Sequence, residues 1–112
     1  MDVLEVLQGV RAMLRPPQAW CKGQFVRQSP GAPRGQAYCL VGALGELAAR
    51  SVVRDLVMFG RAEDMLMHCA TELYDESYFS LVEFNDEHDT THEDVLRVLD
   101  CAIERTKQDE PA

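Results

Sequence analysis

Apolar residues return at spacings of three and four in several separate stretches of this sequence, a period that builds helices and leaves little room for an all-β fold. The first stretch puts Val3, Leu4, Val6, Leu7, Val10, Met13 and Leu14 on one face, behind an Asp2 whose carboxylate suits the first unpaired amides of a helix. A helix is predicted from about residue 2 to Arg15. Pro16-Pro17 ends it, because neither ring has an amide hydrogen and each pushes its predecessor out of helical geometry. Cys39, Leu40, Ala43, Leu44 and Leu47 predict a second helix over Ala37 to Arg50, where Gly42 and Gly45 suggest close helix contact. Met65, Leu66, Cys69, Leu73 and Tyr74 predict a third over Arg61 to Asp75. The last is bounded by Thr90-Thr91-His92-Glu93, which has capping-box spacing, and carries Val95, Leu96, Val98, Leu99, Ala102 and Ile103 to an end near Lys107.

The connections are less regular. Gly23, Ser29, Pro30, Gly31, Pro33 and Gly35 punctuate an irregular loop or short β-hairpin around residues 20–36, in which Gln24 to Arg27 reads as strand. Residues 51–59 fit either element; we read them as helix, separated from the next one by Gly60. Residues 77–84 fit a short strand or one helical turn. The expected fold class is therefore mainly α: a single small helical domain of four to five helices over residues 1–107, with 108–112 as a frayed tail.

At 112 residues the chain can enclose one core, and 46% hydrophobic content is enough to form it. No apolar run approaches the roughly 20 residues that a membrane-spanning helix needs. Asp2 and Glu5 stand where a secretory leader would place Lys or Arg, which points to a cytoplasmic chain. Cys21, Cys39, Cys69 and Cys101 form no C-x-x-C pair, so reduced thiols are expected, with Cys69 and Cys101 as small core residues. His68 reads as a half-buried structural residue. Nothing here calls for a cofactor or assigns a metal site.

Charge is divided unevenly. The chain has 11 Lys and Arg against 19 Asp and Glu, a net charge of −8. Residues 1–61 hold eight basic and four acidic side chains, whereas residues 62–96 hold eleven acids and no Lys or Arg. Such a block repels phosphate, so direct nucleic-acid binding is not expected. It suits either a solvated face or the complement of a basic protein surface.

Three constellations bear on chemistry. Cys39, near a predicted helix start, could act as a nucleophile with His88 or His92 as base and Asn85 or Asp86 orienting the imidazole. The loop Asn85-Asp86-Glu87-His88-Asp89 offers oxygen ligands to a divalent cation, although it lacks the glycine and the bidentate Glu of an EF-hand. Trp20, the one tryptophan, suits a buried seal or a partner contact, and with Glu83, Asp86, Glu87 and Asp89 it makes the candidate partner-binding set.

Four blocks in order, Trp20-Cys21-Lys22-Gly23, Tyr38-Cys39-Leu40-Val41-Gly42-Ala43-Leu44, Leu81-Val82-Glu83-Phe84-Asn85-Asp86 and Thr91-His92-Glu93-Asp94-Val95-Leu96 with Leu99-Asp100-Cys101-Ala102-Ile103, resemble the domain of unknown function 6197 family of small bacterial and phage proteins. The resemblance implies no activity. It directs attention to Trp20, Gly23, Cys39, Gly42, Asn85, Asp86, Thr91 and Asp100, and the acidity of residues 86–89 departs from it. The sequence thus points to an acidic protein-interaction module, of the kind a phage or mobile element uses to inhibit a host protein. A Cys39-dependent hydrolase or transferase and a divalent-cation-binding domain are the alternatives.

Overall fold

The computed structural model describes residues 2–51 and 56–109. They form α1 (Val3–Leu14), a 3-10 turn over Pro17–Ala19, β1 (Val26–Gln28), β2 (Gln36–Tyr38), α2 (Leu40–Arg50), α3 (Leu56–Tyr74), α4 (Leu81–Asp86) and α5 (His92–Asp109). The mainly helical class expected from the periodicity holds, with a two-stranded antiparallel hairpin attached.

The opening helix follows its sequence signals. The Asp2 carboxylate accepts from the Glu5 amide at 2.8 Å, and Glu5 reaches back to the Asp2 amide, closing a capping box. Val6, Leu7, Val10 and Leu14 of its apolar face are fully buried. They pack against α2, α3 and α5, whose own stripes supply Leu40, Leu44, Leu66, Val95, Val98 and Leu99 to the same core. Arg11 on α1 pairs with Asp100 on α5 at 2.8 Å. His92 Nε2 donates to the Leu14 carbonyl at 2.7 Å, satisfying an acceptor that the end of α1 leaves unpaired.

Several boundaries differ from those predicted. The second helix begins at Leu40, not Ala37, because Ala37 and Tyr38 pair with Arg27 and Val26 in the hairpin, leaving Cys39 extended at the helix N-cap. The strand expected over Gln24 to Arg27 lies at Val26–Gln28. Gly60 breaks nothing: α3 runs through it, since burial of Phe59 and Ala62 on either side outweighs the ~1 kcal/mol that glycine costs a helix. Of the predicted helix over 51–59, residues 52–55 lie outside those described, and 56–59 are helical.

The third helix ends with Asp75 at φ +48°, and the Glu76 amide bonds to the Thr71 carbonyl at 3.3 Å, a Schellman closure. Within 77–84 the helical reading prevails from Leu81, with the Ser80 hydroxyl accepting from the Glu83 amide. The capping box of α5 sits one residue later than read, on Thr91 and Asp94: the Thr91 hydroxyl accepts from the Asp94 amide, and the Asp94 carboxylate accepts from the Thr91 amide. Thr90 is freed to turn inward and donate to the Phe84 carbonyl at 2.7 Å. α5 continues to Asp109, two residues past the expected end; 110–112 lie outside the described residues.

Candidate functional site

Residues far apart in sequence meet where the hairpin, the start of α2 and α4 converge. Asn85, fully buried on α4, uses its whole amide there. Its Oδ1 accepts from Trp20 Nε1 at 2.7 Å and from the Leu40 amide at 3.1 Å. Its Nδ2 donates to the Cys21 carbonyl at 3.0 Å and to Asp86 Oδ1 at 2.9 Å. The first free amide of α2 is thus capped by a side chain from another helix. Asp86 accepts in turn from the Gly23 amide at 3.0 Å, and Gly23 has φ +78°, a conformation that glycine adopts without strain. Lys22 donates to the Glu87 carbonyl at 2.6 Å and to that of His88 at 3.3 Å, with its ammonium 5.7 Å from the Trp20 ring centre.

Gly42 completes this clasp. A Cβ there would stand 1.9 Å from the Phe25 carbonyl oxygen, so only glycine lets the hairpin backbone lie against the first turn of α2. The same carbonyl accepts from the Cys39 amide at 3.2 Å.

The clasp is also where the blocks of the sequence converge. Residues 1–105 match the model of a family of unknown function, DUF6197. The chain belongs to that family. No curated protein and no solved structure matches it. Of the positions carrying the DUF6197 pattern, Trp20, Gly23, Cys39, Gly42, Asn85 and Asp86 meet in the clasp, where hydrogen bonds or close backbone approach hold each in place. Thr91 caps α5 and Asp100 pairs with Arg11.

Cys39, His88 and His92 are not joined. The Cys39 thiol is buried and serves as an N-cap, its sulfur accepting from the Gly42 amide at 3.3 Å. Burial pushes the thiol up; the Gly42 and Val41 amides pull against that without reversing it, and Asp86 adds to the rise. His92 faces the Leu14 carbonyl, with its ring 6.1 Å from that of Trp20. His88 is fully exposed, with Nδ1 3.0 Å from Asp89. A cavity of about 110 Å3 adjoins Cys39 and Asp86, with Phe25 and Val82 in its wall.

In the loop read as oxygen ligands, Asn85 is saturated and Asp86 already accepts two hydrogen bonds. Among the described residues no three His, Cys, Asp or Glu side chains are grouped to hold a metal ion. Trp20 is half-buried against the core. His68, read as half-buried, is exposed and lies 3.1 Å from Glu72. Cys21, Cys39 and Cys69 are buried free thiols, while Cys101 is half-buried against the core. A cleft of about 1050 Å3 at the other end of the bundle, between the start of α1 and the end of α5, contains none of the motif residues. No helix among the described residues is long and apolar enough to cross a membrane.

The acidic block stays at the surface. Among the described residues its Arg partners both come from α5: Arg105 on Glu72, and Arg97 on Asp94 at 3.5 Å. Glu83 bonds to the Phe79 amide at 3.2 Å, and Asp89 is fully exposed. Phe79 itself was missed by the sequence reading. Its ring is 98% exposed, flanked by Glu76 and Glu83 in sequence, and the signal that marks it is an aromatic pair, Tyr78-Phe79, inside an otherwise polar and acidic stretch.

Buried thiols and tyrosine hydroxyls should make stability fall in alkali, Cys69 and Tyr78 most of all. Burial, with Cys101 nearby, pushes the Cys69 thiol from 9.0 up to about 12, and burial, with Glu76 and Glu87, pushes the Tyr78 hydroxyl from 10.0 up to about 12. Each ionises earlier in the unfolded chain, so its contribution is complete below the unfolded value and is lost as pH rises toward the folded one. Urea midpoints should hold up to about pH 9 and decline above it, and Cys69→Ala should flatten the first part of that decline. An unchanged midpoint at pH 11 would contradict this.

Proposed function

We propose that the protein is an interaction module whose acidic flank docks on a basic surface of another protein, with Phe79 as the apolar anchor. The observation that carries this reading is the exposure of Phe79, 98%, amid carboxylates that the first-half arginines leave unpaired among the described residues. A ring so exposed contributes almost nothing to this chain's own core, whereas at an interface a buried aromatic anchor can supply much of the binding free energy. Uncompensated carboxylates around it would accelerate encounter with a positive surface and orient it. Inhibition of a host protein is one use of such a face, since it needs no catalytic group.

The test is crosslinking capture from cell extract with the parent protein and Phe79→Asp side by side, at low and moderate salt. The parent should retain a discrete basic partner, less of it at higher salt, and Phe79→Asp should retain at least about tenfold less while melting within about 0.5 kcal/mol of the parent. Identical capture profiles for the two proteins would remove the proposal.

A further inference from the structure

The end of α3, the turn that follows it, α4 and the start of α5 enclose a cavity of about 230 Å3 whose lining joins aromatic rings to carboxylates. Phe84, buried, carries two tyrosines: Tyr74 is stacked on it at 5.8 Å and Tyr78 stands edge-on at 5.3 Å. Around them lie Glu76, Glu87, Asp89 and Asp94. The tyrosine hydroxyls are already committed as donors, Tyr74 to Asp94 at 2.8 Å and Tyr78 to Glu76 at 3.1 Å. Asp94 is further occupied by Thr91 and Arg97. Glu87 and Asp89 complete the lining, and the exposed Asp89 side chain meets His88.

We infer that this cavity receives an arginine side chain of the partner protein, its guanidinium lying against Tyr74 and Tyr78 and donating to Glu87 and Asp89. The inference rests on the interaction reading above. A planar guanidinium stacks on aromatic faces and offers five donors in a fixed fork, which answers a lining with acceptors in excess and rings beside them. A lysine ammonium would forfeit the stacking, and a quaternary ammonium would leave the carboxylates without donors. Burial raises the Tyr78 hydroxyl first, and the Glu76 and Glu87 carboxylates beside it raise it further. Phe79 directly follows Tyr78, one of the lining residues, in the chain.

The experiment is an NMR titration of the full chain at low salt with end-blocked Gly-Arg-Gly, and with the same peptide carrying citrulline or trimethyl-lysine. Saturable shifts confined to Tyr74, Tyr78, Phe84, Glu87 and Asp89 are expected with arginine, about tenfold weaker binding with citrulline or trimethyl-lysine, and a similar loss in Glu87→Gln/Asp89→Asn, whose changes leave the fold's own hydrogen bonds intact. Equal shifts from citrulline, tighter binding of trimethyl-lysine, or shifts spread over the whole acidic flank would overturn it. So would movement of these signals with protein concentration alone, which would make a second copy the occupant. In the capture assay, partner lost by Phe79→Asp but kept by Glu87→Gln/Asp89→Asn would remove the arginine pocket and leave the docking flank standing. Capture insensitive to Phe79→Asp, with the peptide result intact, would do the reverse.

Discussion

Asn85→Ala is expected to lower the unfolding free energy by roughly 3–5 kcal/mol, a large part of the ~5–15 kcal/mol that holds a domain of this size folded. The side chain is fully buried and all of its hydrogen-bonding capacity is used. Truncation orphans the Leu40 amide, the Trp20 indole and the Cys21 carbonyl together, each at about 1–3 kcal/mol when water cannot replace the partner. An apolar replacement of similar size, Asn85→Leu, fills the space but restores none of these bonds. Asn85→Asp keeps both acceptors, loses both donors, and sets a buried carboxylate against Asp86. The buried acid has its pKa raised, so its neutral form is favoured in the fold: stability is present below the unfolded value of about 3.9 and lost as pH rises. Asn85→Asp should therefore be worse at pH 7 than at pH 4. Urea melts followed through Trp20, the one tryptophan, read the clasp directly. A loss under about 1 kcal/mol for Asn85→Ala would mean that the clasp is not what fastens the hairpin.

The second large effect comes from two glycines on one helix, which should respond to the same substitution with opposite signs. At Gly42 an added Cβ meets the Phe25 backbone, 1.9 Å from its oxygen and 2.8 Å from its carbonyl carbon. Backbone cannot rotate aside like a flexible side chain, so the hairpin must retreat and the 3.2 Å bond from the Cys39 amide is lost. Gly42→Ala is expected to cost about 3 kcal/mol. At Gly45, one turn on, nothing lies within 4 Å of the new methyl group, and Gly45→Ala should stabilise by about 0.5–1 kcal/mol through reduced backbone entropy of the unfolded chain. Chemical melts of the two variants, measured together, check both. A neutral Gly42→Ala would show that the approach of Phe25 is not required.

What the sequence made legible was set by the range of each signal. The stripes of α1, α3 and α5 are local, and their buried members, such as Val6, Leu66 and Val98, are where the period places them. The start of α2 was misjudged because Ala37 and Tyr38 are apolar, and a local window cannot see that Val26 and Arg27 pair with them. The capping register of α5 slipped by one because Thr90–Glu93 and Thr91–Asp94 both satisfy the spacing; the inward turn of Thr90 toward Phe84 decides between them, and that is a tertiary fact. The clasp was beyond reach for the same reason. Trp20 and Asn85 stand 65 residues apart, and Gly23 and Asp86 63, so the carboxylate and amide that read locally as cation ligands have as partners a ring and a backbone amide from the other half of the chain. Only the family pattern brought those positions together, and it did so without saying what joined them.

The contact between α1 and α5, sealed by Arg11 on Asp100 across 89 residues of chain, has a consequence for synthesis. A ribosome releases α1 long before α5, and until then α2 and α3 cover only part of the apolar side of the first helix. Until α5 emerges, the nascent polypeptide carries a core that lacks Val95, Val98 and Leu99, leaving apolar surface of the first helix open to chaperones and to mispairing.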